Sequence, residues 1–173
     1  MAKKLVILDA DAIIELHMLR KWRHLVSRYE LIIPETVYRD ETVYVNREHT
    51  REHLSLRADR EHGLIEVESV EASDLLTVSR FLGDPFEGRI HPGELEGLAL
   101  VRNLDPESTG SPRFCTGDRW AVLALCCLDM SANAISLEEL VEPAHGELRD
   151  HFGRERLESR KREGILMRME RYM

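Results

Sequence analysis

Leu5-Val6-Ile7-Leu8 is a continuous apolar run of strand length that stops at Asp9, and it constrains the fold more than any other feature of the chain. A strand apolar at every residue has to be covered on both faces, which is the situation of a parallel sheet between layers of helix. Asp11 is well placed to cap the helix that follows. Along that helix Ile14, Met18, Trp22, Leu25, Val26 and Tyr29 recur at three- and four-residue spacings as one apolar stripe, opposite Arg20, Lys21, Arg23 and His24.

The same alternation continues along the chain. Leu31-Ile32-Ile33 is a short apolar run before Pro34, which can open a helix at Glu35. Thr42 to His62 is polar, carries the tripeptide Arg-Glu-His at 47–49, 51–53 and 60–62, and reads as a solvated helical excursion or long loop. Leu64 to Val67 reads as a strand and Ser73 to Leu82 as a helix. A loop follows over Gly83 to Gly93, then a helix from Glu94 to Arg102. Asp105 to Pro112 is loop, Arg113 to Thr116 a strand, Trp120 to Leu128 a buried helix, and Ala134 to Ser136 a last strand or turn before Leu137 to Leu140. Strand–helix alternation of this kind predicts an α/β fold, a three-layer α/β/α sandwich with a mostly parallel central sheet. We expect one domain over 1–143 and a charged, helical and partly free extension over 144–173.

Charge is unevenly spread. The chain carries −8 overall, but residues 145–173 hold eight basic and six acidic side chains, leaving −10 on the rest. Arg154, Arg156, Arg160, Lys161 and Arg162 alternate with Glu155, Glu158 and Glu163, the pattern of an exposed, salt-bridged helix. An acidic body can still meet a phosphodiester if its carboxylates hold divalent cations. Cys115, Cys126 and Cys127 match no metal-ligand spacing and read as reduced core thiols. No apolar run is long enough to span a bilayer and no secretory signal is evident, so a cytoplasmic protein without a membrane partner is expected.

In open parallel sheets the functional crevice lies at the carboxyl ends of the strands. Asp9 directly follows the first strand, and Asp118 follows a later one after a single glycine. Two more acids sit near helix starts: Asp40 or Glu41 after Pro34, and Glu94 after Pro92-Gly93. Carboxylates gathered at one point repel one another unless they share protons or metal ions, and hard oxygen ligands suit Mg²⁺ or Mn²⁺. Each acid also has an ordinary explanation: a cap at Asp118, a dipole partner at Glu94, surface charge at Asp40. Asp9 stands apart because Asp11 already fits the cap. His49 and His53, four apart, could chelate a metal, but their charged neighbours favour a solvated surface.

Several of these segments together resemble the PIN-domain family. Leu5 to Ile14 is similar to its opening strand and aspartate, Ile33-Pro-Glu-Thr-Val-Tyr-Arg-Asp40-Glu41 to its Pro-led acidic segment, and Gly93-Glu94-Leu-Glu-Gly-Leu-Ala-Leu100 to the Gly-Glu-led helix of one subgroup. Thr116-Gly-Asp118-Arg119 resembles the Thr-x-Asp turn, and Ile135 to Leu140 the closing segment. The resemblance spans about residues 4–141. It implies a Mg²⁺/Mn²⁺-dependent ribonuclease with Asp9, Asp40, Glu94 and Asp118 as ligands, often a toxin held by an antitoxin or inhibitor protein. The family's second acid is usually Glu, where this chain has Asp40. Glu94 and Glu96 lie about 200° apart around a helix, so one of them faces the site; Glu94, nearer the apolar border, is the choice.

Arg119, Arg20 and Arg23 are candidates for positioning RNA phosphates, and the tail's apolar positions are compatible with a homodimer. Two other readings stand beside this one. A PIN-like fold that has lost catalysis would act as an RNA- or protein-binding module. Asp9-Ala-Asp11 also resembles the start of haloacid-dehalogenase-like phosphatases, but there is no lysine between Lys21 and Lys161 and no late acidic pair after Asp118.

Overall fold

β1 (Lys4–Leu8) occupies the middle of a five-stranded sheet, as a run apolar on both faces requires. The computed structural model describes residues 3–41, 44–47, 50–104, 111–141 and 148–172. On one side β1 pairs with β2 (Tyr29–Pro34), and on the other with β6 (Arg113–Cys115). β5 (Glu66–Glu68) lies outside β2, and β7 (Ala134–Ile135) outside β6. Every pairing in this sheet is parallel, in the order β5-β2-β1-β6-β7.

Successive residues of β1 feed two different cores. Leu5 and Ile7 pack with α4 (Ala72–Leu82), α5 (Pro92–Asn103) and α6 (Arg119–Cys127). Val6 and Leu8 pack with α1 (Ala10–Met18), α2 (Trp22–Arg28) and α7 (Leu137–Val141). The result is the expected three-layer α/β/α sandwich with a parallel sheet. All three cysteines are free and buried in it. Among the described residues no helix is long and apolar enough to cross a membrane.

The apolar stripe expected to form a single helix is divided. α1 ends in a Schellman motif: Lys21 N–H donates to Leu16 O, Arg20 N–H to His17 O, and Arg20 takes the left-handed φ of 56°. Glycine normally marks such a stop, so an arginine there left no signal. Within α1 the face that enters the core is Ala12, Ile13 and Leu16. Ile14 is half-buried and Met18 43% exposed, so the expected stripe lies off the buried side there. After the break Trp22, Leu25 and Val26 enter the same core, as their spacing predicts. The polar segment after residue 42 contains an antiparallel pair, β3 (Tyr44–Arg47) and β4 (Thr50–His53), and then α3 (Arg57–Glu61). Asp59 pins α3 to α2 by accepting from Trp22 Nε1 at 2.8 Å and Arg23 Nη1 at 3.0 Å.

The C-terminal segment is helical as expected but is not free. Phe152 is buried in the core containing α1, and Leu157, in α8 (Arg154–Arg171), in the core containing α6. Between them the chain crosses the carboxyl edge of the sheet. α8 then runs against α6 so closely that a Cβ on Gly164 would come within 2.6 Å of Cys126 Cβ. The division expected between 143 and 144 falls outside the described residues.

Candidate functional site

Along the chain the five parallel strands run β1, β2, β5 to one side and β6, β7 to the other, so the order reverses between β1 and β6. Helices leave the sheet in opposite directions at such a point, and a crevice opens at its carboxyl end. Leu8 pairs with Cys115 across it, and Asp9 N–H donates to Cys115 O at 3.2 Å. Asp9 and the Thr116-Gly117-Asp118 turn therefore end neighbouring strands at the reversal.

Asp9 is the N-cap of α1, accepting from Ala12 N–H at 2.8 Å, while Asp11 is exposed in the first turn. This reverses the expected roles: the cap falls on Asp9 because the strand ends there, and Asp11 no longer frees Asp9 from that task. The Thr116 hydroxyl and Gly117 N–H lie beside the Asp9 carboxyl and favour its ionised form. Thr116 Oγ1 accepts Asp118 N–H at 3.0 Å, so one hydroxyl stands beside both acids. Asp118 caps α6, taking Ala121 N–H at 2.9 Å. Burial pushes the Asp9 carboxyl from 3.8 up to about 7, against the three neutral donors that hold its ionised form; the charge of Asp11 contributes less. Crowding of carboxylates is thus not the main cause. A carboxyl poised near neutrality can exchange a proton at working pH, which is unusual for an aspartate that merely caps a helix.

The remaining acids divide differently from the expectation. Glu94 turns back on its own helix start, where Oε2 accepts from His91 N–H at 2.8 Å. Glu96 is also buried and reaches across to the end of β2, accepting Thr36 N–H at 2.8 Å. Glu96 therefore points toward the neighbouring strand end. The apolar border does not separate the two glutamates, because α5 is enclosed from Gly93 to Val101 except at Leu95 and has no clear polar face. Asp40 is exposed on a π-helical turn, Val37–Glu41, beyond β2. The side chains of Glu41 and His53, and all of His49, lie outside the described residues. Among the described residues no three acids, histidines or cysteines are gathered into one ligand set.

Of the arginines expected at substrate, Arg20 is exposed away from the strand ends and the other two are paired elsewhere. Arg20 and Arg23 lie past the far end of α1, about 13 Å of helix rise from Asp9, and Arg23 is tied to Asp59. Arg119 pairs with Glu163 of α8 and lies over the Trp120 ring. The arginine that does reach the site is Arg160, which the charge alternation of the tail assigned to an exposed helix. It is buried, and Nη1 donates to Gly117 O at 2.8 Å and to His151 O at 3.4 Å. Its guanidinium lies beside the Asp118 charge, and burial holds its pKa below the usual value. Gly117 has no room for a side chain: a Cβ would meet His151 Cδ2 at 2.6 Å and Phe152 Cε1 at 2.8 Å. Arg149 adds a further tie, pairing with buried Glu15 of α1 at 2.6 Å. The C-terminal segment is thus strapped over the site turn by Arg149 on one side and Arg160 on the other.

Comparison with family models, with curated proteins and with solved structures returns no match for this chain. The functional reading therefore rests on the geometry and on the residues themselves.

Proposed function

We propose that the chain is a metal-dependent endoribonuclease of the PIN-like type, hydrolysing RNA phosphodiester bonds at the carboxylates of the β1–β6 edge. The observation that carries this reading is the placing of Asp9 and Asp118 beside one Thr116 hydroxyl at the point of strand reversal. The donor set is hard oxygen, which suits Mg²⁺ or Mn²⁺. Asp9 and Asp118 would hold the ion, with Glu96 the further acid on the same edge. A bound ion supplies Lewis acidity toward the phosphate and lowers the pKa of its water.

The chain's own residues do the rest. Thr116 and Gly117 N–H orient the Asp9 carboxylate, and Arg160 fixes the Gly117 peptide. Asp9 has to shed its proton to act as a ligand, so Mn²⁺ affinity rises as the pH climbs through about 7. A toxin-like role with an inhibitor protein, and a cytoplasmic location, belong to the same proposal.

A second reading, a catalytically silent binding module, is favoured by one observation. Asp9, Asp118 and Glu94 are each already engaged at a helix start, so the fold alone gives them a task. Cleavage of a fluorogenic single-stranded RNA in Mn²⁺ or Mg²⁺, beside EDTA controls, separates the two. Asp9→Asn and Asp118→Asn are each expected to lower the rate by at least about a hundredfold while leaving the protein folded. Folded protein that neither cleaves RNA nor binds Mn²⁺ by calorimetry would leave the binding module standing.

A further inference from the structure

Helix α8 encloses one side against α6, at Leu157, Arg160 and Gly164, and leaves the other side open. On the open side Ile165, Leu166, Met169 and Tyr172 are 45, 62, 57 and 67% exposed. Four large apolar side chains within eight residues is a dense patch for a helix already packed on its opposite side.

The charges around the patch are sorted. Glu163 and Arg168 pair within the chain, with Arg119 and Asp129, and Arg171 bonds Phe81 O. Arg162 and Glu170 have no hydrogen bond or ion pair among the described residues, and they stand four before and four after Leu166. One helical row thus reads basic, apolar, acidic. Such a row matches a reversed copy of itself, since reversal sets each charge opposite its complement. Beside the row lies a shallow groove of about 540 Å³, lined by Cys126, Ser131, Ile165, Met169 and Tyr172 among others.

We propose that this face docks a second copy of the chain, the two α8 helices crossing antiparallel about a two-fold axis at Leu166. Rows of residues four apart interlock in the commonest class of helix pairing. That packing lays Arg162 beside the partner's Glu170, and two-fold symmetry repeats the pair. Leu166 from each copy seats between the partner's Leu166 row and its Ile165 and Met169. The proposal stands on the surface of α8 and is independent of the nuclease reading.

Sedimentation equilibrium of the purified full chain, from micromolar to millimolar, tests it. The expected result is a concentration-dependent species of twice the 20.0 kDa chain mass. Leu166→Glu should be monomeric over the same range with an unchanged melting temperature for the monomer, because the side chain is exposed. Arg162→Glu and Glu170→Arg should each weaken the dimer by about tenfold, and combining them should restore it. A parent chain monomeric throughout would overturn the proposal. So would a dimer that survives Leu166→Glu, single reversals without effect, or a double reversal weaker than either single one.

Discussion

Asp9 and Asp59 are buried to the same 5% and each receives several hydrogen bonds, yet they keep different company. Asp59 faces the Trp22 indole N–H and the Arg23 guanidinium, so a cation answers its charge. Asp9 is surrounded by Ala12 N–H, the Thr116 hydroxyl and Gly117 N–H, all neutral. The first arrangement is a pin that fastens α3 to α2. The second leaves a carboxyl whose ionisation is opposed by burial and, among the described residues, unanswered by a cation that touches it, at the edge where parallel sheets bind ligands. Burial alone does not distinguish two buried aspartates; the charge of the surrounding donors does.

The contrast can be broken most sharply by pH. Because the folded state raises the Asp9 pKa from 3.8 to about 7, it holds the proton more tightly than the unfolded chain across that interval. Stability from this group is therefore complete below about 4 and lost as the pH rises to about 7, on the order of 4 kcal/mol in all. Asp9→Asn carries no such charge, so in EDTA its stability relative to the parent should improve steadily from pH 4 to pH 8. Denaturant melts at both ends of that range measure it, and a constant difference would overturn the assignment of a raised pKa to Asp9.

Asp59→Ala should act in the opposite direction, costing about 2 kcal/mol, since the buried Trp22 N–H loses its acceptor. Urea unfolding at neutral pH reads this directly; a cost within error would mean the pin holds nothing. The smallest effect is expected at Arg23→Ala. That side chain is 74% exposed, so its ion pair contributes no more than about 0.5 kcal/mol. If its loss matched that of Asp59→Ala, the guanidinium rather than the indole would be the working donor.

Much of the fold was legible because burial writes itself into apolar pattern. Leu5 to Leu8 announced a central parallel strand, and the strands before Gly117 and Leu137 were found in order. The helix break at Arg20 was not legible, since a left-handed arginine carries no sequence mark that glycine would. Within the site, Asp9 and the Thr116-Gly117-Asp118 turn were readable from their position after apolar strands. The choice between Glu94 and Glu96 was not legible, because a helix enclosed nearly all round offers no amphipathic boundary to judge by. Arg160 was hidden in a run of alternating charges that looks the same whether one arginine faces solvent or a peptide carbonyl.

What the amino-acid order determined by itself is the layered α/β architecture and the two acids at the strand ends, since both depend on local periodicity and on where apolar runs stop. Only the tertiary structure decided which glutamate reaches toward β2 and that the tail straps the Gly117 turn. Those outcomes depend on distances between segments up to 134 residues apart, as between Glu15 and Arg149. Burial and hydrogen-bond partners at such separations arise from packing the whole chain, and no local pattern encodes them.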